Sequence, residues 1–327
     1  MPNELGSMAL FLREDDVTRL LRMDDVIAAV DGAFREHGAG RAVNRPRQRT
    51  IADGAALHVM SGGVPSAGVM GLKAYSSART GTRFLSMLYS TQTGELLAVM
   101  EANALGQMRT GAASAVATRA LARPEAGSVG VIGTGRQARS QLLAVSRVRP
   151  IALAKCYSRT KPRAEAFAGA MIEELGMEVA VVGSAQEAVE DVDVIITITS
   201  AREPVLLGSW LRPGVHINAA GANAAGRREL DAEAVARSAV IAVDDLDQAR
   251  TECGDLIHAD AAGVAAWDRA VELGAILTGR APGRGTADEI TLFESQGIAI
   301  EDVVTMKLAY ERARAAGVGV PFPGTTA

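Results

Sequence analysis

Apolar residues recur at helical spacing over residues 12–40, where Val17, Leu20, Leu21, Val26, Ile27, Val30 and Phe34 share one face. Gly38 and Gly40 punctuate the end of that segment. From about residue 48 to 100 the period shortens. Apolar runs at 55–60, 69–75, 84–89 and 96–100, separated by Gly, Ser and Thr, predict a meander of strands. Residues 101–122 are Ala-rich and predict a helix that stops before Pro124. Strand-like and helix-like segments then alternate. The strands are predicted at 129–132, 151–157, 179–182, 192–199, 215–219 and 239–243, and the helices at 136–148, 162–175 and 185–190. Such alternation predicts an α/β fold with a doubly wound parallel sheet. A last helix, 301–316, is expected to return to the first part of the chain.

Composition supports this picture. The chain has 327 residues, enough for two domains, and 48% are hydrophobic while only 4% are aromatic. Its core must therefore be built from Ala, Val, Leu and Ile, as in helices on a parallel sheet. A net charge of −4 with scattered Lys and Arg offers no nucleic-acid footprint. No apolar run approaches the roughly 20 residues of a membrane span. Met1 to Met8 lack the pattern of a signal peptide, so a cytoplasmic location is expected. Cys156 and Cys253 lie far apart, and the four histidines show no ligand spacing, so neither a disulfide framework nor a metal is expected.

One motif carries cofactor chemistry. Gly133-Thr134-Gly135-Arg136-Gln137-Ala138 fits G-x-G-x-x-A, follows a predicted strand and opens a predicted helix. The first Gly permits the tight turn and the second lets backbone approach a pyrophosphate. The small last residue lets helix meet strand, and the helix N-terminus attracts phosphate. At the end of the next strand, where Asp or Glu usually holds a ribose 2′-hydroxyl, the chain has Ser158-Arg159-Thr160-Lys161, with Arg163 nearby. A guanidinium fork suits a 2′-phosphate. NADP(H) is therefore expected ahead of NAD(H), which stays open. The predicted strand ends add Thr199, Ala220 and Gly221 to the cofactor side.

Several blocks together resemble the ornithine cyclodeaminase/mu-crystallin family. They are Arg109-Thr110-Gly111-Ala112-Ala113-Ser114-Ala115, Gly133 to Ala138, Asp193 to Thr199, Pro213 to Asn218, Arg228-Glu229-Leu230-Asp231, Gly254-Asp255-Leu256 and Thr291-Leu292-Phe293. The resemblance implies a homodimer. It also implies a Rossmann-type domain, 119–300, inserted in an α+β substrate-binding and dimerisation domain made of 1–118 and 301–327.

It further implies a substrate site. Arg47, in Arg45-Pro46-Arg47, resembles the family's carboxylate-gripping Arg, although Arg45 and Arg49 leave the register open. Lys73 matches the family Lys beside the substrate. It also stands inside an apolar strand, where a charge is costly unless it faces a site. Burial lowers a lysine pKa and suits it to proton transfer. Arg109 matches the Arg between substrate and cofactor, and Thr82 a residue near the cofactor phosphates. Asn223 departs from the family's Gly-x-Asp at Gly221-Ala222-Asn223, and an amide cannot take up a proton. Glu252 matches a nearby family acid that is a candidate proton donor.

These residues lead to an expected NAD(P)-dependent oxidoreductase of CH–NH groups. It would be an imino acid (ketimine) reductase or amino acid dehydrogenase acting on a small α-imino acid. Arg45, Arg49, Arg79, Arg83 and His58 extend the reading to a dicarboxylic imine such as iminosuccinate. Two alternatives remain at this level: an ornithine or lysine cyclodeaminase with bound NAD, and a mu-crystallin-like protein that binds NADPH and a small ligand.

Overall fold

A computed structural model of the protein describes residues 8–323. The chain divides into two compact units, residues 1–109 with 298–327 and residues 110–297. The first division falls inside a helix, Asn103–Leu121.

The first unit opens with β1 (Leu10–Leu12), α1 (Glu14–Leu20) and α2 (Met23–Gly38). The predicted helix over 12–40 is thus two helices, because Leu21 and Arg22 are extended and interrupt it. A meander follows: β2 (Val43–Ala52), β3 (Ala55–Val64), β4 (Val69–Ala78), β5 (Gly81–Ser90) and β6 (Leu96–Glu101), leading into α3 (Asn103–Leu121). β2 escaped the sequence pattern because it is an edge strand of mostly polar residues. Its Pro46, which has no N–H to donate, sits at a register shift between Arg45 and Gln48.

The second unit contains β7 (Ser128–Ile132), α4 (Ala138–Val148), β8 (Leu153–Tyr157), α5 (Lys161–Leu175), β9 (Glu178–Val181), α6 (Ala185–Val189) and β10 (Val194–Thr197). It continues through β11 (His216–Ala219), α7 (Ala232–Arg237), β12 (Ser238–Val243), α8 (Leu246–Glu252), α9 (Gly254–Ala261), β13 (Ala270–Glu272), α10 (Leu273–Leu277) and β14 (Ile290–Glu294). The chain then returns to the first unit with α11 (Ala299–Ala316) and β15 (Val320–Pro321).

In the first unit the sheet order is β15-β1-β6-β5-β4-β3-β2, with α11 laid across it. Two glycines allow that approach. A Cβ at Gly62 would meet the Val43 carbonyl oxygen at 2.9 Å and Ile300 Cγ2 at 3.0 Å. One at Gly71 would meet the Met87 carbonyl oxygen at 2.5 Å and Met306 Cε at 3.0 Å, so both the neighbouring strand and the helix leave no room. Glycine strands under a helix bring backbone close to it, and here they draw the first turns of α11 down onto the sheet. Ala299 to Met306 are all buried.

The second unit is an eight-stranded sheet in the order β13-β12-β14-β11-β10-β7-β8-β9, parallel throughout. One face is covered by Leu142 and Val145 of α4 with Phe167 and Met171 of α5. The other is covered by Val189, Val235 and Leu256 of α6, α7 and α9. This is the doubly wound α/β arrangement predicted from the alternation. β7 and β10 are neighbours, so the strand order reverses between them, where such sheets bind ligands. No helix among the described residues is long and apolar enough to cross a membrane.

Candidate functional site

The first unit builds a buried cluster of charges beneath its sheet. β4 holds Lys73 with 3% exposure, on the same face as its cross-strand neighbours Met60 and Ser86. From α11, Asp302 Oδ1 accepts hydrogen bonds from Lys73 Nζ at 3.0 Å and from Arg109 Nε at 3.1 Å. Arg109 Nη1 also donates to Glu301 Oε2 at 2.9 Å. Gly106, one turn before Arg109 on α3, leaves room for the ammonium, since a Cβ there would stand 3.0 Å from Lys73 Nζ. The Phe84 ring lies 5.3 Å from the same nitrogen.

Electrostatics follow from burial and these neighbours. Burial pushes the Lys73 ammonium down to about 8; Asp302 opposes that shift, while the charges of Arg109 and Arg47 add to it. Burial disfavours an ionised Asp302, yet Arg109 and Lys73 outweigh it and hold the carboxyl below its usual range. Burial raises Glu301, with Asp302 contributing, although Arg109 pulls the other way. A lysine poised near neutrality in a dry site is suited to proton transfer.

The three arginines of β2 differ in exposure. Arg47, at the strand irregularity, is buried with 8% exposure, whereas Arg45 and Arg49 are exposed. His58 on β3 is buried, stacks on Tyr75 at 4.3 Å and bonds Ser77 Oγ through Nε2 at 3.0 Å. Burial, then Arg49 and Arg47, drives its pKa down to about 4, so the ring is neutral. Arg79, Arg83 and Thr82 are exposed.

The second unit presents the glycine turn after β7. Gly133 has φ +100°, and a Cβ there would stand 2.6 Å from the Ile198 carbonyl oxygen, so only glycine fits. Gly135 has nothing within 4 Å of where a Cβ would be, an open approach to backbone. Thr134 Oγ1 is buried without a hydrogen-bond partner among the described residues, and no side chain caps the start of α4. Ala138 is fully buried, Gln137 half-buried and Arg136 exposed. An orphaned hydroxyl and uncapped helix N–H groups around an open glycine are what a pyrophosphate needs. At the end of β8, Ser158 Oγ accepts from Thr160 N at 3.4 Å, and Arg159 and Arg163 are exposed.

A buried acid orders the neighbouring strand ends. Glu229 Oε1 accepts from Thr199 N at 2.5 Å, while its Oε2 accepts from Thr197 Oγ1 at 2.9 Å and Gly221 N at 2.8 Å. Asp255 Oδ1 in turn accepts from the backbone N–H of Glu229 and Leu230 at 2.6 and 2.8 Å. Burial, then the charge of Glu229, pushes Asp255 up to about 7. Thr199, Ala220 and Gly221 are thereby held together at the ends of β10 and β11, with Ala220 N bonded to Thr197 O at 2.9 Å. Asn223, half-buried, follows in the same loop. Glu252 is fully buried at the end of α8 and accepts from Gln248 Nε2 at 2.9 Å. Cys253 donates to Glu294 at 3.3 Å inside the core.

Lys73 and Arg109 are thus in one cluster, with Arg47 close enough for its charge to act on Lys73. The nominated residues 133–137, 158–160, 163, 199, 220, 221, 223 and 252 lie in the second unit. Sequence reasoning missed Glu301, Asp302 and Glu229. The available signal was two acids inside the apolar run 299–306, and an acid in the Arg228–Asp231 block.

Comparison with known proteins shows the family. The model of the ornithine cyclodeaminase/mu-crystallin family matches residues 8–317. The alanine dehydrogenase of Archaeoglobus fulgidus is 36% identical over 318 residues, 95% of this chain and 97% of that protein. The solved Thermococcus litoralis Delta(1)-pyrroline-2-carboxylate reductase, in complex with NADH and L-proline, superposes with a TM-score of 0.92 at 38% identity. That match covers 96% of this chain and all (100%) of the other. The iminosuccinate reductase of Paracoccus denitrificans, in complex with NAD+, gives a TM-score of 0.89 at 29% identity, covering 96% of this chain and 98% of that one. A match over nearly the whole chain, together with the placement of the quoted blocks, identifies the protein as a member of the ornithine cyclodeaminase/mu-crystallin family.

Proposed function

We propose that the protein is an NAD(P)H-dependent reductase of small α-imino acids, reversible as an amino acid dehydrogenase. The observation that carries this reading is the buried cluster in which Lys73 is held beside Arg109 and within the field of Arg47. A substrate carboxylate entering there meets fixed cations, which orient its α-carbon. The dinucleotide belongs on the glycine turn of the second unit, cradled by Gly133, Thr134, Gly135, Arg136 and Gln137, and when bound it supplies the hydride. As the imine carbon is reduced, the C=N electron pair moves to nitrogen, and Lys73 Nζ gives the proton that completes the amine.

Arg159, Arg163, Ser158 and Thr160, with no acid at the end of β8, support NADP(H) ahead of NAD(H). Buried His58, flanked by the charges of Arg47 and Arg49, favours a second carboxylate and hence a dicarboxylic imine of the iminosuccinate type. The outer face of the first unit's sheet carries Leu57 and Leu85, 48% and 37% exposed, beside half-buried Val59, Leu72 and Met87. That apolar face supports assembly with a second copy.

The test follows oxidation of NADPH and NADH with glyoxylate, pyruvate or oxaloacetate plus ammonia, and with cyclic ketimines. Turnover dependent on an α-imino acid is expected. Ammonia release from ornithine without net oxidation of the cofactor would replace this reading with cyclodeamination.

A further inference from the structure

Asp302 lies 229 residues beyond Lys73 in the chain, yet one of its oxygens, Oδ1, receives both Lys73 Nζ and Arg109 Nε. Its other oxygen, Oδ2, is buried without a hydrogen-bond partner among the described residues. We propose that Asp302 is the positioning residue of the reductase: its shared carboxylate oxygen fixes Lys73 and Arg109 side by side and keeps the ammonium of Lys73 charged as the proton donor. This rests on the reading of the protein as an imino acid reductase. A carboxylate that takes two cationic donors at about 3 Å sets their separation as well as their charge, whereas a surface pair would leave both side chains mobile.

The groups facing Lys73 come from every element packed around it. β2 supplies Arg47, β3 supplies His58 on the same face, β5 supplies Phe84 and the uncharged Ser86, α3 supplies Arg109, and α11 supplies Glu301 and Asp302. Among them Asp302 is the carboxylate bonded to the ammonium. Glu301 bonds Arg109 instead. Gly62 and Gly71 let α11 come down to this depth, and Gly106 keeps α3 clear of the ammonium. Small residues on three elements thus serve one contact.

The sign follows directly. Burial and the neighbouring arginines favour loss of the Lys73 proton, and Asp302 opposes them. Asp302→Asn keeps the size of the side chain but removes the opposing charge, so Lys73 loses its proton at lower pH. The reductive reaction needs that proton, and its rate falls on the basic side of the Lys73 pKa.

Two readouts test the proposal. The first is the pH profile of kcat/KM for imine reduction. The second, independent of activity, is an NMR titration of Lys73 in protein labelled with 13C-lysine, assigned with Lys73→Met. In Asp302→Asn both the basic limb and the Lys73 titration are expected to move to lower pH by about one to two units. Asp302→Glu should return both towards wild type, and Glu301→Gln should move them much less. Affinity for NADH serves as the folding control.

A folded Asp302→Asn protein that loses activity while neither readout moves would reduce Asp302 to a structural role and overturn the proposal. If no imino acid is turned over, yet the Lys73 titration moves as expected, the substrate reading fails and the role of Asp302 in holding Lys73 stands. Should Asp302→Asn not fold, the wild-type titration decides. A Lys73 that titrates like a lysine in water, near about 10.4, rejects the balance of burial against Asp302.

Discussion

Replacing Arg109 with methionine isolates the energetics of the buried charge cluster. The substitution retains much of the apolar stem, but Glu301, fully buried, loses its hydrogen-bonded partner at 2.9 Å, and Asp302 keeps only Lys73. Breaking a buried pair from one side costs about 3–5 kcal/mol when the orphaned group stays charged. Glu301 has an alternative, which is to take up a proton. Relative to a reference pKa of about 4.3, that costs about 2 kcal/mol at pH 6 and about 5 kcal/mol at pH 8. The cheaper route sets the loss, so destabilisation is expected to be about 3–5 kcal/mol at pH 8 and nearer 2 kcal/mol at pH 6. The sign agrees with linkage. Burial has already raised the folded pKa of Glu301, and removing the guanidinium raises it further. Its stabilising contribution is therefore complete below the unfolded pKa and is lost as pH rises through the folded one. Urea denaturation followed by circular dichroism, at both pH values and for both proteins, measures the difference. A loss below about 1 kcal/mol, or one identical at pH 6 and pH 8, refutes the description of this cluster as dry and mutually dependent.

Three other outcomes are expected. Gly133→Ala forces a Cβ to within 2.6 Å of the Ile198 carbonyl oxygen at φ +100°, a strain of about 1–3 kcal/mol; titration calorimetry should show NADH binding weakened by about tenfold or more, and an unchanged Kd would count against the turn as the phosphate cradle. Arg159→Glu should weaken NADPH binding by about 10- to 100-fold while leaving NADH nearly unaffected, and an equal loss for both nucleotides would remove Arg159 from 2′-phosphate recognition. Asp255, raised by burial to about 7, contributes stability that is complete below the unfolded carboxylate pKa and is lost as pH rises through about 7. Asp255→Asn should therefore flatten the fall in Tm expected between pH 6 and pH 8, as scanning calorimetry would measure; a slope equal to that of wild type contradicts this.

The parallel sheet was readable because its strands are buried on both faces and separated by helices of regular period. Val129, Val131, Val194 and Ile196 form short continuous apolar runs with little competing interpretation. β2 was not readable, since an edge strand carrying three arginines and Pro46 has no alternation to detect. The break between α1 and α2 was hidden for a different reason. Leu20, Leu21 and Met23 keep the apolar period across two extended residues, so the pattern continues where the helix does not.

Chemistry split along the same line. The glycine turn could be recognised because its requirements are local: a positive φ, an open backbone and a helix start occupy six consecutive positions. The cation cluster is not local. Lys73 stood out through its cost in an apolar strand, but the residue that offsets that cost arrives from α11, after the entire second unit has intervened. What a sequence can reveal in such a case is the misfit, here a lysine among apolar neighbours at 69–74 and two acids among apolar neighbours at 299–306. Two misfits of opposite charge imply each other, because neither could be buried without the other.

Asn223 then acquires a definite meaning. Deamination needs a group that accepts and returns a proton, and the amide of Asn223 cannot do so. Glu229 is no substitute, since its two oxygens already take three hydrogen bonds and its work is to hold the ends of β10 and β11. In the first unit's cluster, Lys73 combines a pKa lowered to about 8 with a bonded carboxylate that favours its charged form. One ionisable side chain suffices for reduction of an imine, where a single proton accompanies the hydride. It does not suffice for ring closure with loss of ammonia, where protons must move onto and off two nitrogens. The distribution of buried charge, more than the resemblance to any one relative, therefore supports the proposed reductase reading over cyclodeamination.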